Sequence, residues 1–490
     1  MELIFFVDGL PLHRSGLTQF WPILMRIHDM PNVPVMTVAI FCGESKPGSL
    51  QGYLQPFVTE LNYLQANGLL INGRPYKIWF RAMIADTPAR AYIKGVKSFN
   101  ARYGCIKCKT RATKDPTTKR TYYGQFGAAR RTHEEFCNGA YVDHCKTTTP
   151  LVKLDNCDII KDIITSEPLH VRDHGVTRRL MLNWTEGIFG TSRRWTEPIR
   201  EAVSNEIREL LLPSEFQRSV RSLKYLRFWK GLEYNYFLHN ISLIVLKGRI
   251  SDVEYNHFML YFCGMTLFSS AEYEDDWPMA DQMLRKFVFD FATVYGVTFL
   301  SSNVHYLLHV YEDVVRFGPL HNISAYKFES HLQEPKNLLR NGRNCLAQAV
   351  NRLTELQHIN YARPSNEPSF PYIVNKGNDV TAYVMANCTL KNDKKNCWFM
   401  LKNKNIGMYS TASREQGSIV VHCHLFSETS EQFDYPCSSY IMNIRRANML
   451  HLDLSSLVRI PIEEVKFKLV AVKTKTVEIY MFVPVPHSMA

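Results

Sequence analysis

Two apolar runs, each closed by an acid, constrain this chain more than anything else in its 490 residues. Leu3-Ile4-Phe5-Phe6-Val7 ends in Asp8-Gly9, and Met83-Ile84-Ala85 ends in Asp86-Thr87-Pro88. Short apolar runs bounded by turn formers read as strands. A third acid, Glu329, follows Ala325-Tyr326-Lys327-Phe328 far downstream. Carboxylates delivered by strand ends and one later helix suit a two-metal phosphoryl-transfer site, because hard cations take oxygen ligands. The same residues fit a plainer reading, since strand-to-Asp-Gly is a common turn and an acid after a strand often caps a helix. Asp313 and Glu334 are rival third acids.

Residues 1–100 alternate strand and helix material: Leu3–Val7, Val35–Phe41 and Ile78–Ala85 as strands, with an amphipathic stretch at Leu50–Gly68. Leu54, Phe57, Val58, Leu61 and Leu64 recur there at helical spacing. Residues 101–165 are basic and Thr-rich, hold five cysteines, and read as an irregular insertion. Helical spacing returns over 166–320, in Pro198–Leu212, Ser222–Phe237 and Met279–Tyr295. Residues 321–361 carry Glu329 and a further helical stretch, Ala347–His358. A linker is expected at Ala362–Ser369. Residues 370–490 then show short β-rich runs, among them Thr381–Val384, Cys397–Leu401, Gly417–His424 and Val465–Lys468, which predict a small barrel or sandwich.

The net charge of +12 favours an anionic partner, nucleic acid first. Local clusters lie at Lys107–Arg120, Arg130-Arg131 and Arg178-Arg179, the last suited to phosphate contacts or to a solvated helix face. No run approaches the roughly 18 apolar residues of a membrane span, and the N-terminal sequence lacks a signal-peptide pattern, so a soluble intracellular protein is expected. The cysteines are scattered except Cys105-Ile106-Lys107-Cys108, which offers two soft ligands at zinc-knuckle spacing. His305 and His309, four apart, can share a helix face and reach one metal. His133, Cys137, His144 and Cys145 lie nearer along the chain as alternative partners. No Walker loop, GxGxxG or GxSxG motif is present.

Several segments together resemble transposases of the CACTA (EnSpm) type. They are Asp8-Gly9-Leu10-Pro11-Leu12 leading to Trp21-Pro22-Ile23-Leu24, then Ala39-Ile40-Phe41-Cys42-Gly43. Asp86-Thr87-Pro88-Ala89-Arg90, Gly104-Cys105 with Cys108, and Pro168-Leu169-His170 with Gly175-Val176 follow. Asn303-Val304-His305-Tyr306-Leu307-Leu308-His309, Phe317-Gly318-Pro319-Leu320, and Phe328-Glu329 with Leu338-Leu339-Arg340-Asn341-Gly342 complete the order. The similarity runs over roughly residues 3–360. It implies an α/β protein with an RNase H-like core, a basic zinc-binding insertion, a long all-α insertion before the glutamate, and the small β-rich C-terminal domain.

The resemblance further implies that Asp8, Asp86 and Glu329 form an Asp-Asp-Glu triad holding Mg²⁺ or Mn²⁺. Asp8 would bridge both ions, and His170 would act near the scissile phosphate. It also pairs Cys105 and Cys108 with His305 and His309 around structural Zn²⁺. The expected function is two-metal-ion cleavage and strand transfer of double-stranded DNA, at transposon ends and target, in the nucleus and as a homo-oligomer without a membrane role. Two departures stand out. Such transposases usually carry a substantial segment before the first catalytic strand, whereas this chain begins seven residues before Asp8, which suggests a fragment or a domesticated remnant. Pro335 is expected to shorten the helix bearing Glu329. The alternative function is a catalytically inactive, zinc-stabilised DNA- or chromatin-binding protein.

Overall fold

A computed structural model describes residues 1–13, 16–190, 194–361, 369–377, 379–385, 388–476 and 478–485, side chains of 357–361 excepted. The expected linker therefore lies, Ser369 apart, outside the described residues. The chain is mixed α/β with a β-rich C-terminal region. It divides into two compact units, Met1–Arg172 with Gly296–Ser365, and Asp173–Tyr295 with Asn366–Ala490.

The first unit is built on a sheet. Strand β1 (Glu2–Val7) is apolar without alternation because both of its faces are covered: Leu3 through Val7 are each at most 4% exposed. β2 (Gln19–Ile27) runs antiparallel to β1, from Leu3↔Ile27 to Val7↔Ile23. β3 (Met36–Gly43) is antiparallel to β2. β4 (Trp79–Ala85) lies on the other side of β1 and parallel to it, with Val7 opposite Ala85. The order is β3–β2–β1–β4. Beyond β4, Met83 forms a parallel bridge with Ile163, and its N–H and C=O bond Asp162 O and Ile164 N at 2.9 and 3.0 Å.

Helix α1 (Leu50–Asn67) joins β3 to β4. Ser49 caps it by accepting from Gly52 N, and Gly68 ends it at a positive φ of 69°. Leu50, Leu54, Phe57, Val58 and Leu61 make its buried stripe, and Phe57 meets Phe5 edge-on at 4.8 Å. The opposite face of β1 receives α3 (Tyr326–Asn337, following α2, Thr87–Ile93), whose Phe328 stacks on Phe6 at 5.2 Å. Adjacent strand residues thus bury into different layers, as the two-residue period demands.

Residues 101–165 are irregular, with two-residue strands, one five-residue helix (His133–Cys137) and a 3₁₀ turn (Pro150–Lys153). The segment expected to be one helical insertion over 166–320 is divided. From Gly296, at φ 93°, the chain belongs with the first unit, and its helices Ser302–Tyr306 and Val310–Phe317 pack there. The helical body of the second unit is Asp173–Tyr295, with Glu197–Glu209, Asp252–Leu267 and Trp277–Tyr295 among its helices.

In the same unit, strands Tyr372–Lys376, Asp379–Met385 and Cys388–Leu390 form a three-stranded sheet, and the strands from Trp398 onward form an eight-stranded antiparallel sheet with Val465–Lys473, Trp398–Leu401 and Ile406–Glu415 at its centre. Both sheets share one core containing Ala382, Leu390, Phe399, Phe467 and Phe482. Lys468, fully buried, is met by Glu215 at 2.7 Å and by Asn396 Oδ1 at 2.8 Å. Among the described residues no helix is long and apolar enough to cross a membrane.

Candidate active site and metal centre

Because β1 and β4 are parallel neighbours in register to Val7↔Ala85, the residues that follow them emerge side by side. Those residues are Asp8 and Asp86. A Cβ at Gly9, beside Asp8, would stand 3.0 Å from the Trp21 indole, close enough that the ring would have to give way. Asp8 Oδ1 accepts from Gly9 N at 2.7 Å. Asp86 is also the cap of α2, its Oδ1 accepting from Ala89 N at 2.7 Å. The plainer reading of these acids as turn and cap residues is therefore realised too.

Glu329 lies in the first turn of α3 and shares this environment. Burial, then repulsion from Asp86 and Glu329, pushes the Asp8 carboxyl up to about 8, against the pull of Gly9 N–H and His170. Burial likewise raises Glu329, opposed by His170 and reinforced by Glu167 and Asp86. His170 sits in the π-helical turn Pro168–Thr177. Burial works against its charge, yet Glu167, Glu329 and Asp86 together raise it to about 9. Its Nε2 stands 3.6 Å from Glu329 Oε1. The three acids thus share one electrostatic environment, partly offset by the His170 ring, and a bound cation would relieve the repulsion among them.

The rival acids are committed elsewhere. Asp313 is buried, paired with Lys107 at 2.8 Å, and accepts from the amides and hydroxyls of Thr165 and Ser166. Glu334 pairs with His331 at 2.8 Å. Pro335 does not stop α3, which continues to Asn337.

One residue of this region escaped the sequence reading. Glu167, wholly buried, accepts from Leu169 N (2.7 Å), His170 N (2.9 Å), His170 Nδ1 (2.7 Å) and Ala325 N (2.9 Å). Its signal was the Glu-Pro-Leu-His spacing, which places a carboxylate three residues before the histidine.

The second constellation is closed and soft. Cys105, Cys108, His305 and His309 are all buried, with ligand atoms mutually within 4.8 Å. Cys105 Sγ lies 3.4 Å from His309 Nε2, Cys108 Sγ 3.4 Å from His305 Nε2, and the two sulfurs are 3.6 Å apart. The helix bearing His305 tightens to a 3₁₀ turn over Leu307–His309, and both rings still meet the thiols. Gly104 lets the backbone before Cys105 pack against Ser98, where a Cβ would fall 2.6 Å from Ser98 O. Buried imidazole and thiol groups aimed at one point can hold a metal ion such as zinc.

The loop is further pinned to the His-bearing segment by Lys107–Asp313 and by Arg130, which bonds Leu308 O at 3.1 Å and pairs with Glu312 at 2.5 Å. The nearer candidates stand apart: Cys137 faces His133 at 3.4 Å, and His144 Nδ1 bonds Tyr103 O at 2.6 Å. Among the described residues the other group of that kind is Glu2, His28 and Asp29; Asp8, Asp86 and Glu329 do not together form one.

The expected basic clusters differ in fate. Lys107 and Arg131 are buried, and Arg179 lies over the Phe189 ring. Arg111, Lys114, Lys119 and Arg120 remain exposed around the hairpin Thr113–Lys114/Thr121–Tyr122.

Residues 368–486 match the family model of a domain of unknown function, DUF8592. That segment is the β-rich part and contains neither constellation. No curated protein matches the chain.

Proposed function

We propose that this chain is a DDE-type transposase or a protein derived from one, acting on double-stranded DNA in the nucleus by two-metal-ion cleavage and strand transfer. The observation that carries the reading is the emergence of Asp8 and Asp86 from neighbouring parallel strands, with Glu329 and His170 in the same electrostatic environment. The order β3–β2–β1–β4, with α1 between β3 and β4 and a further parallel bridge at Ile163, supports an RNase H-like core. Bound by the acids, two Mg²⁺ or Mn²⁺ ions would supply Lewis-acid activation of the attacking hydroxyl and neutralise the leaving oxygen. The chain's own part is to fix the carboxylates, hold the His170 ring beside Glu329, and keep the helix of Glu329 on β1 through Phe6 and Phe328. Zn²⁺ at Cys105, Cys108, His305 and His309 would act structurally, tying the basic loop to the segment preceding α3.

A second reading is DNA binding without cleavage. Its support is the use of Asp86 as a helix cap together with the exposed basic hairpin, which suits phosphate contacts. Nicking of supercoiled plasmid in Mn²⁺ separates the two. The first reading expects nicking in the native chain and at least about a hundredfold loss in Asp8→Ala, Asp86→Ala and Glu329→Ala. Salt-sensitive DNA binding without nicking would favour the second.

A further inference from the structure

We propose that Glu167 is the positioning residue of the acid cluster, fixing the ring of His170 and the start of the Glu329 helix through one buried carboxylate. The inference rests on the active-site reading above for its function, but its geometry stands alone. A carboxylate has about four acceptor positions, and Glu167 fills them with four donors. Oε1 takes Leu169 N and Ala325 N; Oε2 takes His170 N and His170 Nδ1.

With no acceptor position left over, Glu167 is not equipped to ligate a metal. It joins segments 158 residues apart in sequence, one holding His170 and the other opening α3 four residues before Glu329. Because Nδ1 must carry the proton given to Glu167, the second ring nitrogen is committed to the acid cluster, where it lies 3.6 Å from Glu329. A carboxylate fixing tautomer and ring orientation in this manner is a general device for histidines at reactive or metal-bearing centres. Positioning is also what the burial suggests: a wholly buried carboxylate is costly unless its partners are fully engaged.

Glu167→Gln keeps the shape and removes the acceptor. One of its ends is then an NH₂ group facing donors, either at His170 or at Leu169 and Ala325. The test is ¹⁵N-histidine NMR of the full chain, with the His170 signals identified by their absence in His170→Gln. In the native chain the expected result is a proton on Nδ1 with a slowly exchanging, hydrogen-bonded resonance. In Glu167→Gln that resonance is expected to be lost, while other histidine signals stay in place. A His170 protonated only at Nε2 in the native chain overturns the proposal, and that observation needs no variant to fold. An unchanged His170 pattern in a folded Glu167→Gln overturns it equally.

Mg²⁺ added to the native chain tests the underlying active-site reading separately. If Glu167→Gln alters His170 but Mg²⁺ moves none of its signals, the positioning role stands and the metal reading fails. Where plasmid nicking is measurable, Glu167→Gln is expected to lower its rate at least tenfold and leave the DNA affinity within twofold.

Discussion

At the scale of single residues, the acid cluster sets ionisation against stability. Asp8 is pushed up to about 8, so its folded-state value lies above that of an unfolded aspartate. A carboxyl shifted in that direction stabilises the fold most when protonated, and the benefit is lost as pH rises from about 4 toward 8. Metal-free Asp8→Asn is therefore expected to unfold at a higher temperature than the native chain at pH 8, with the difference vanishing near pH 4. A variant that is less stable at pH 8 would contradict the crowding of the three acids. Two histidines give the opposite sign. Burial depresses His144 to about 3 and His257 to about 4. The stability they contribute as neutral rings is complete above about pH 6.5 and is lost as pH falls through those values. His257 stacks on Phe287 at 4.3 Å, so His257→Phe is expected to flatten the decline in denaturant midpoint between pH 7 and 4.5 by an equivalent of a few kcal/mol.

At the scale of elements, a buried ion pair and the Cys/His group each link segments distant in sequence. Glu215–Lys468 binds the loop after Glu197–Glu209 to the central strand Val465–Lys473. Glu215→Ala would strand a buried ammonium, with an expected cost of about 3–5 kcal/mol in urea unfolding, whereas the pair Glu215→Leu with Lys468→Met should recover most of it. The metal centre makes a second prediction: one equivalent of zinc by elemental analysis, and a lower unfolding temperature after chelation or in Cys108→Ser. An unchanged temperature with zinc removed would leave the four side chains as packing alone.

What the sequence made legible at this scale follows its periodicity. Amphipathic α1 and the Trp277–Tyr295 helix were readable because each has one apolar stripe. Asp252–Leu267 was not, being buried from His257 to Leu267 without a polar face to set a period. β2 was hidden by Pro22, a residue that argues against a strand; the pairing with β1 ends at Val7↔Ile23, just short of it. Cys105-x-x-Cys108 and His305-x-x-x-His309 were each legible from their spacing, but their pairing followed only from the family resemblance; Asp8 and Asp86 stood out as acids closing apolar runs. Glu167 was hidden because an acid before a proline resembles an exposed turn residue, and only the return of Ala325 in space reveals its burial.

At the scale of the whole molecule, the two candidate constellations and the largest sheet belong to different units. Both constellations belong to the first unit, and the segment matching DUF8592 belongs to the second. The central claim is that Asp8, Asp86 and Glu329 serve one cation site, and it can be tested without knowing the DNA. The direct measurement is thermal unfolding across a Mn²⁺ titration, on the native chain and on the three single alanine variants. A ligand that binds the folded state alone adds about 2.7 kcal/mol at a hundredfold excess over its dissociation constant. The account predicts a saturable rise in unfolding temperature for the native chain that is abolished in all three variants. A rise that persists unchanged in any one of them, or none in the native chain up to millimolar Mn²⁺, would contradict it.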